Sequence, residues 1–199
     1  MERTVSLTCH RHLAIRDDQI MLKMSNENLT WGNESTVTRY NTHLAFCRLQ
    51  VEISSVNICR EPFPHPSLTW AEWAESCEQR IEALRSNSWT EAIMIPDWLD
   101  IPASRCLAWL YMPCPKNPSP SDDTMTKFVQ TLMRMLQMYW TLAPKKSLKL
   151  CWYAAHHTYE IGTQLLFCMQ NYPHIVEACC DKIALLDALT HLSDFLVFF

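Results

Sequence analysis

Two histidines and a glutamate, His156, His157 and Glu160, fall close together on one stretch of chain. The 156/160 pair has the i, i+4 spacing that lets two helical side chains share a metal ion. Zinc sites need further ligands, and neither a third ligand nor the His-Glu-x-x-His order is present. The expectation is therefore a histidine on a helix surface or between helices. Cys9, His10 and His12 form a second fragment of ligand-like residues, without matching ligands elsewhere. The ten cysteines contain no Cys-x-x-Cys pair, which excludes a zinc ribbon, a redox motif and a cysteine cluster of the DNA-binding kind. Adjacent Cys179 and Cys180 cannot easily pair within a helix, and one of them is expected in the core. Asp122 and Asp123 lack the downstream carboxylate of a magnesium-binding aspartate box. Helix capping accounts for them better.

Glycine excludes more chemistry. Only Gly32 and Gly162 occur, so a dinucleotide fingerprint, a phosphate-binding loop and a Gly-x-Ser-x-Gly nucleophile elbow cannot be built. No catalytic, cofactor-binding or metal-binding residue is assigned, and the chain is not expected to be an enzyme. What remains is aromatic. Trp109, Tyr111, Tyr139, Trp140, Trp152 and His156 are the candidate lining of a groove or pocket.

The elements that would position these residues are helices. Few glycines beside many Leu, Met, Trp and Cys disfavour hairpin-rich β architectures. Residues 1–33 show no sustained pattern and are expected to be a poorly ordered tail; residues 34–199 are expected to form one helical domain. From Glu34, apolar steps of three and four (Val37, Tyr40, Leu44, Cys47, Val51, Ser54, Ile58) predict one helix. Pro62, Pro64 and Pro66 stop it. Thr69 with Glu72 is a capping box for a second helix, with Trp70, Trp73, Cys77, Ile81 and Leu84 inward.

A short apolar segment over 103–112, bounded by Pro102 and Pro113, predicts a buried helix, with a strand as the alternative. Four prolines over 113–120 require an extended connector. Ser121, Asp122 and Asp123 then cap the most regular helix of the chain, whose stripe is Met125, Phe128, Val129, Leu132, Met135, Leu136, Tyr139 and Leu142. Pro144 ends it. Ser147 begins another helix, where Ala154, Ala155 and Gly162 would admit a close neighbour. A last helix over 174–194 turns Val176, Cys179, Ile183 and Leu186 inward. The apolar end Phe195–Phe199 calls for cover. An irregular bundle of about six helices results.

Charge narrows the partners. Seventeen basic against 21 acidic side chains leave a net charge of −4. Such a chain is poorly suited to grip DNA unaided, because phosphate contacts need clustered Lys and Arg. Lys145, Lys146 and Lys149 are the nearest thing to a cluster and are expected to be solvated. The longest apolar run, Cys106 to Met112, is far below the roughly 18 residues of a spanning helix, so no membrane is expected. No secretory pattern opens the chain, and cysteines used as small hydrophobes suit a reducing compartment. The sequons at Asn28 and Asn33 are accordingly expected to be incidental.

The segment from Cys106 to Pro173 is the most specific. An apolar helix runs into Tyr111, Pro113, Pro115, Pro118 and Pro120. A striped helix ends in Tyr139-Trp140, and a Trp152-bearing helix reaches Ile161-Gly162 and Leu165-Leu166. This order resembles the fungal-specific transcription factor domain, the middle homology region of zinc binuclear cluster regulators. Tyr111, the four prolines, Tyr139, Trp152, Gly162 and Leu166 occupy matching places. Leu44–Ile58 followed by Trp70–Leu84 is similar to the family's upstream helices. The likeness covers residues 40–175.

Met112 departs from the arginine common in that family, and the six-cysteine zinc cluster is absent. The resemblance thus implies a partial version of the fungal regulatory domain, detached from its DNA reader. It implies a nuclear, transcription-regulator-like protein, otherwise a cytoplasmic one, with ties to metabolic or secondary-metabolite gene sets. Its partners would be other transcription regulators or co-regulators, with a small hydrophobic molecule as a candidate ligand. The alternative is a helical scaffold recruited as a small biosynthetic enzyme or chaperone for a hydrophobic substrate.

Overall fold

Three helix starts in this protein are set by short-range polar chemistry, others by proline, and helix faces by where bulk can be buried. The computed structural model describes residues 34–58, 62–63, 67–88, 96–142 and 151–198, and at several helix ends (34–40, 87–88, 96–99, 151–153, 195–198) the backbone alone. The order is α1 (Glu34–Asn57), α2 (Trp70–Ser88), α3 (Pro96–Tyr111), α4 (Asp122–Leu142), α5 (Cys151–Asn171), α6 (Pro173–Cys179) and α7 (Lys182–Phe198). Among the described residues there is no extended strand, and the architecture is all-α. No described helix is long and apolar enough to cross a membrane. The expected tail 1–33 with its Cys9, His10 and His12, the lysines at 145, 146 and 149, the helix start at Ser147 and the side chains of 195–199 lie outside the described residues. The backbone packs as two compact units.

The first unit holds α1, α2 and α3 through Leu110, with Cys114–Lys116. Its α2 begins on the expected capping box. Thr69 N donates to Glu72 Oε2 at 2.9 Å, and Glu72 N donates to Thr69 Oγ1 at 3.3 Å. The Thr69 amide, and the Thr69 hydroxyl donating to the same oxygen at 2.8 Å, hold the Glu72 carboxyl below the usual range. Trp73, Cys77 and Ile81 are buried as expected, while Trp70 and Leu84 are half-buried.

On α1 the buried face differs from the predicted one. Phe46, Leu49, Ile53 and Val56 go in, and of the predicted stripe Ser54 is buried with them, whereas Leu44, Cys47, Val51 and Ile58 are half-buried. Both stripes have helical spacing. Phe46 makes the first the bulkier, and it removes more apolar area from water.

Helix α3 also departs from expectation, because Pro102 lies inside it rather than at its start. Pro96 opens the helix at a position where a missing amide donor is tolerated. At Pro102 one i→i−4 hydrogen bond is forgone. Helix α1 holds α3 at two points. Gln50 Nε2 donates to the Pro102 carbonyl at 3.3 Å, and Asn57 Nδ2 donates to the carbonyls of Trp109 at 2.9 Å and Leu110 at 3.3 Å. The second contact satisfies orphan carbonyls at the end of α3.

The second unit holds Tyr111–Pro113 and Asn117–Phe199, hence α4 to α7. The 112–121 segment is non-helical, as its prolines require. Ser121 Oγ accepts from Thr124 N at 3.2 Å and starts α4. All eight residues of the predicted α4 stripe are buried. Each large side chain among them contributes roughly 1.5–3 kcal/mol by leaving water. On α5, Ala154, Thr158, Ile161, Leu165 and Cys168 are buried, and Gly162 lies directly against the Leu192 side chain of α7. A Cβ there would meet that leucine, which is why the two helices approach as closely as they do.

The predicted last helix is two helices. Tyr172-Pro173 begins α6, and Cys180 is extended at φ −135°, ψ 132°. Asp181 Oδ1 then accepts from Ala184 N at 2.7 Å and caps α7. The break corrects the expected inward face. Val176 is buried, but Ile183 is 74% and Leu186 65% exposed. A stripe counted across Cys180 and Asp181 loses its phase there, because neither residue continues the helical rotation.

Candidate functional site

The last helical turns of α4 carry Tyr139 and Trp140 side by side, and each engages a histidine from a different helix. The Tyr139 hydroxyl and His157 Nδ1 of α5 are hydrogen-bonded at 2.7 Å, with the rings edge-on at 6.2 Å between centroids. Trp140 stacks on His191 of α7, centroids 4.0 Å apart and planes within 10°. Tyr139 and His157 are both buried, and Trp140 and His191 are half-buried. The two contacts tie α4 to α5 and to α7 within the second unit.

Adjacent residues on a helix point about 100° apart, so a Tyr-Trp pair can serve two neighbours at once. A general acid or base must reach its substrate directly or through one water. Tyr139 and His157 lie fully inside the packed helices, so their hydrogen bond acts on helix positioning.

Of the six candidate groove residues, Tyr139 and Trp140 take part in this constellation. His156 is half-buried beside it, its ring 6.2 Å from that of His157. Tyr111 is buried in the same unit, where the Lys127 ammonium lies 5.7 Å from its ring centroid. Trp109 belongs to the first unit. Its indole lies under the guanidinium of Arg105 at 4.4 Å, with Arg105 itself only 2% exposed. The side chain of Trp152 lies outside the described residues.

His157 is the histidine between helices that the sequence led one to expect, though not as a partner of Tyr139, while Arg105 was not singled out. A signal existed for the first: position 157 lies three residues after Ala154 and four before Ile161, both buried, and so shares their face. For the second, the i, i+4 spacing of Arg105 and Trp109 permits a guanidinium to cover an indole. The pattern of α3 hides this, because an arginine in an apolar helix normally marks the outer face.

The thiols behave as core residues. Burial pushes Cys77 and Cys168 up to about 12, and it raises Cys106 further, with Arg105 acting against the rise. Among the described residues no group of three or more His, Cys, Asp or Glu side chains is placed to hold a metal ion.

Comparison of the chain with protein-family models, curated proteins and solved structures finds no match. The surface therefore has to speak for itself. Among the described residues, the large apolar side chains that stay exposed are Tyr159, Leu166 and Phe167 on α5 and Ile183 and Leu186 on α7. All five are in the second unit, on the sides of α5 and α7 turned away from the buried stripe. Exposed apolar side chains grouped on neighbouring helices mark interaction surface more often than scattered single ones do.

Proposed function

We propose that this protein is a regulator-type helical interaction module without a DNA reader of its own, which acts by binding another transcription regulator. The observation that carries the reading is the exposed apolar surface of α5, with Tyr159 60% exposed and Leu166 and Phe167 beside it in the helical repeat. The resemblance of residues 40–175 to the fungal-specific transcription factor domain supplies the kind of partner: a full-length regulator of the zinc binuclear cluster type. On this reading the bound chain titrates or modifies its partner in the nucleus. The net charge of −4 supports the division of labour, because it leaves the reading of DNA to the partner.

The test uses purified components. The chain should be retained by a full-length zinc-cluster regulator, and Leu166→Asp with Phe167→Asp should weaken that binding by about tenfold or more, as for apolar anchors at an interface. In a gel shift at physiological salt the chain alone should give no sequence-selective complex. Selective, salt-resistant DNA binding by the chain alone, or regulator binding that ignores both substitutions, would overturn the proposal. Turnover of a hydrophobic substrate by the chain would favour the recruited-enzyme alternative instead.

A further inference from the structure

Helix α7 carries apolar side chains on two sides. One side faces its own unit: Ala188 is buried, Leu192 presses on Gly162, and His191 stacks on Trp140. The opposite side runs Ile183, Leu186, Thr190 and Ser193, all exposed, in steps of three, four and three. These are alternating a and d positions of a heptad. Thr190 is less polar than its type suggests, because its Oγ1 already donates to the Leu186 carbonyl at 2.9 Å.

The charges beside this seam complete the pattern. Lys182 precedes Ile183 at the g position, and Asp187 follows Leu186 at e. Both are exposed, and neither has an ion-pair partner among the described residues. In a parallel pair of helices, a g residue faces the e residue five positions on in the other helix. Lys182 would therefore meet Asp187 of the partner subunit, and two-fold symmetry makes the same pair twice. Antiparallel pairing would set the e side against its own copy, bringing the carboxylates of Asp187 and Asp194 toward their equivalents.

We propose that the outer face of α7 binds a second copy of this chain, as a parallel two-helix seam with Ile183 and Leu186 at its core and reciprocal Lys182–Asp187 ion pairs at its edges. The occupant is chosen by charge. The face carries one cation, Lys182, and two anions, Asp187 and Asp194, and parallel register sets Lys182 against Asp187 while keeping the carboxylates of the two copies apart. This self-association uses α7 and is independent of the regulator-binding role given to α5.

Sedimentation equilibrium of the full chain under reducing conditions, over about 1–500 μM, tests it across the range expected of a short seam. A reversible monomer–dimer equilibrium is expected. Leu186→Asp should weaken it by about 100-fold and Lys182→Asp by about tenfold, through an unpaired charge in the seam and like charges at its edge. The exchange Lys182→Asp with Asp187→Lys should restore association to within about threefold of the parent, which a merely sticky surface would not do. All three positions are exposed, so helix content by circular dichroism should be unchanged in every variant. A monomer at all concentrations overturns the proposal. So does a dimer indifferent to Leu186→Asp and Lys182→Asp, or a charge exchange that fails to restore pairing.

Discussion

In the first unit, polar side chains bridge neighbouring helices at several points, although buried atoms such as Asn57 Oδ1 and Trp70 Nε1 have no hydrogen-bond partner among the described residues. Glu52 on α1 accepts from the Trp73 indole at 3.3 Å and pairs with Arg80 on α2 at 2.8 Å. Arg85 on α2 pairs with Asp100 on α3 at 3.1 Å, and the Asn57 amide closes the end of α3. The second unit is built on one strongly striped helix, α4, with α5 and α7 laid against it, and it turns large apolar side chains to solvent on α5 and α7. The difference teaches where to look for partners. Polar groups spent inside a unit leave little for recognition, whereas apolar side chains left outside it are free for another molecule.

The comparison can be broken at its strongest point first. If α4 is the element on which the second unit is built, Phe128→Ala should cost about 3–5 kcal/mol in denaturant unfolding followed by circular dichroism. A loss below about 1 kcal/mol would place the core elsewhere. Next is the buried link between α4 and α5. Tyr139→Phe removes the hydroxyl from His157 and should cost about 1–3 kcal/mol, and Tyr139→Phe combined with His157→Leu should recover part of the loss. The smallest effect is expected at the surface. Leu166→Ser should change stability by no more than about 0.5 kcal/mol, while reducing binding of the hydrophobic dye ANS. A large loss there would mean that the α5 face is held by the chain itself.

Much of the fold was legible in the sequence, and the exceptions share a physical cause. The α4 face could be read in full because its polar and apolar residues segregate cleanly, leaving one stripe. The Thr69–Glu72 cap was legible because it is a local arrangement of four residues. Helix α1 offered two stripes of equal spacing, and only packing chose between them. Pro102 looked like a boundary, yet tertiary hydrogen bonds from α1 hold a helix that runs through it. The outward turn of Ile183 and Leu186 was hidden because Asp181 restarts the helix, and a cap within an apolar stretch resets the phase of everything after it. For the candidate site, Tyr139 and Trp140 were foreseen as aromatic positions, but their histidine partners depend on helices far apart in sequence, which periodicity along one helix does not report.

The thiols carry one further consequence. Cys77, Cys106 and Cys168 are free and sit in packed interiors, with Cys77 and Cys106 in one unit and Cys168 in the other, while Cys47, Cys179 and Cys180 are partly accessible. An alkylating reagent needs thiolate and access together, so it would consume the accessible set early and the interior set only during excursions of the surrounding helices. The chain thus comes with a natural clock in each half: the order in which its cysteines are labelled records how often each interior opens to water.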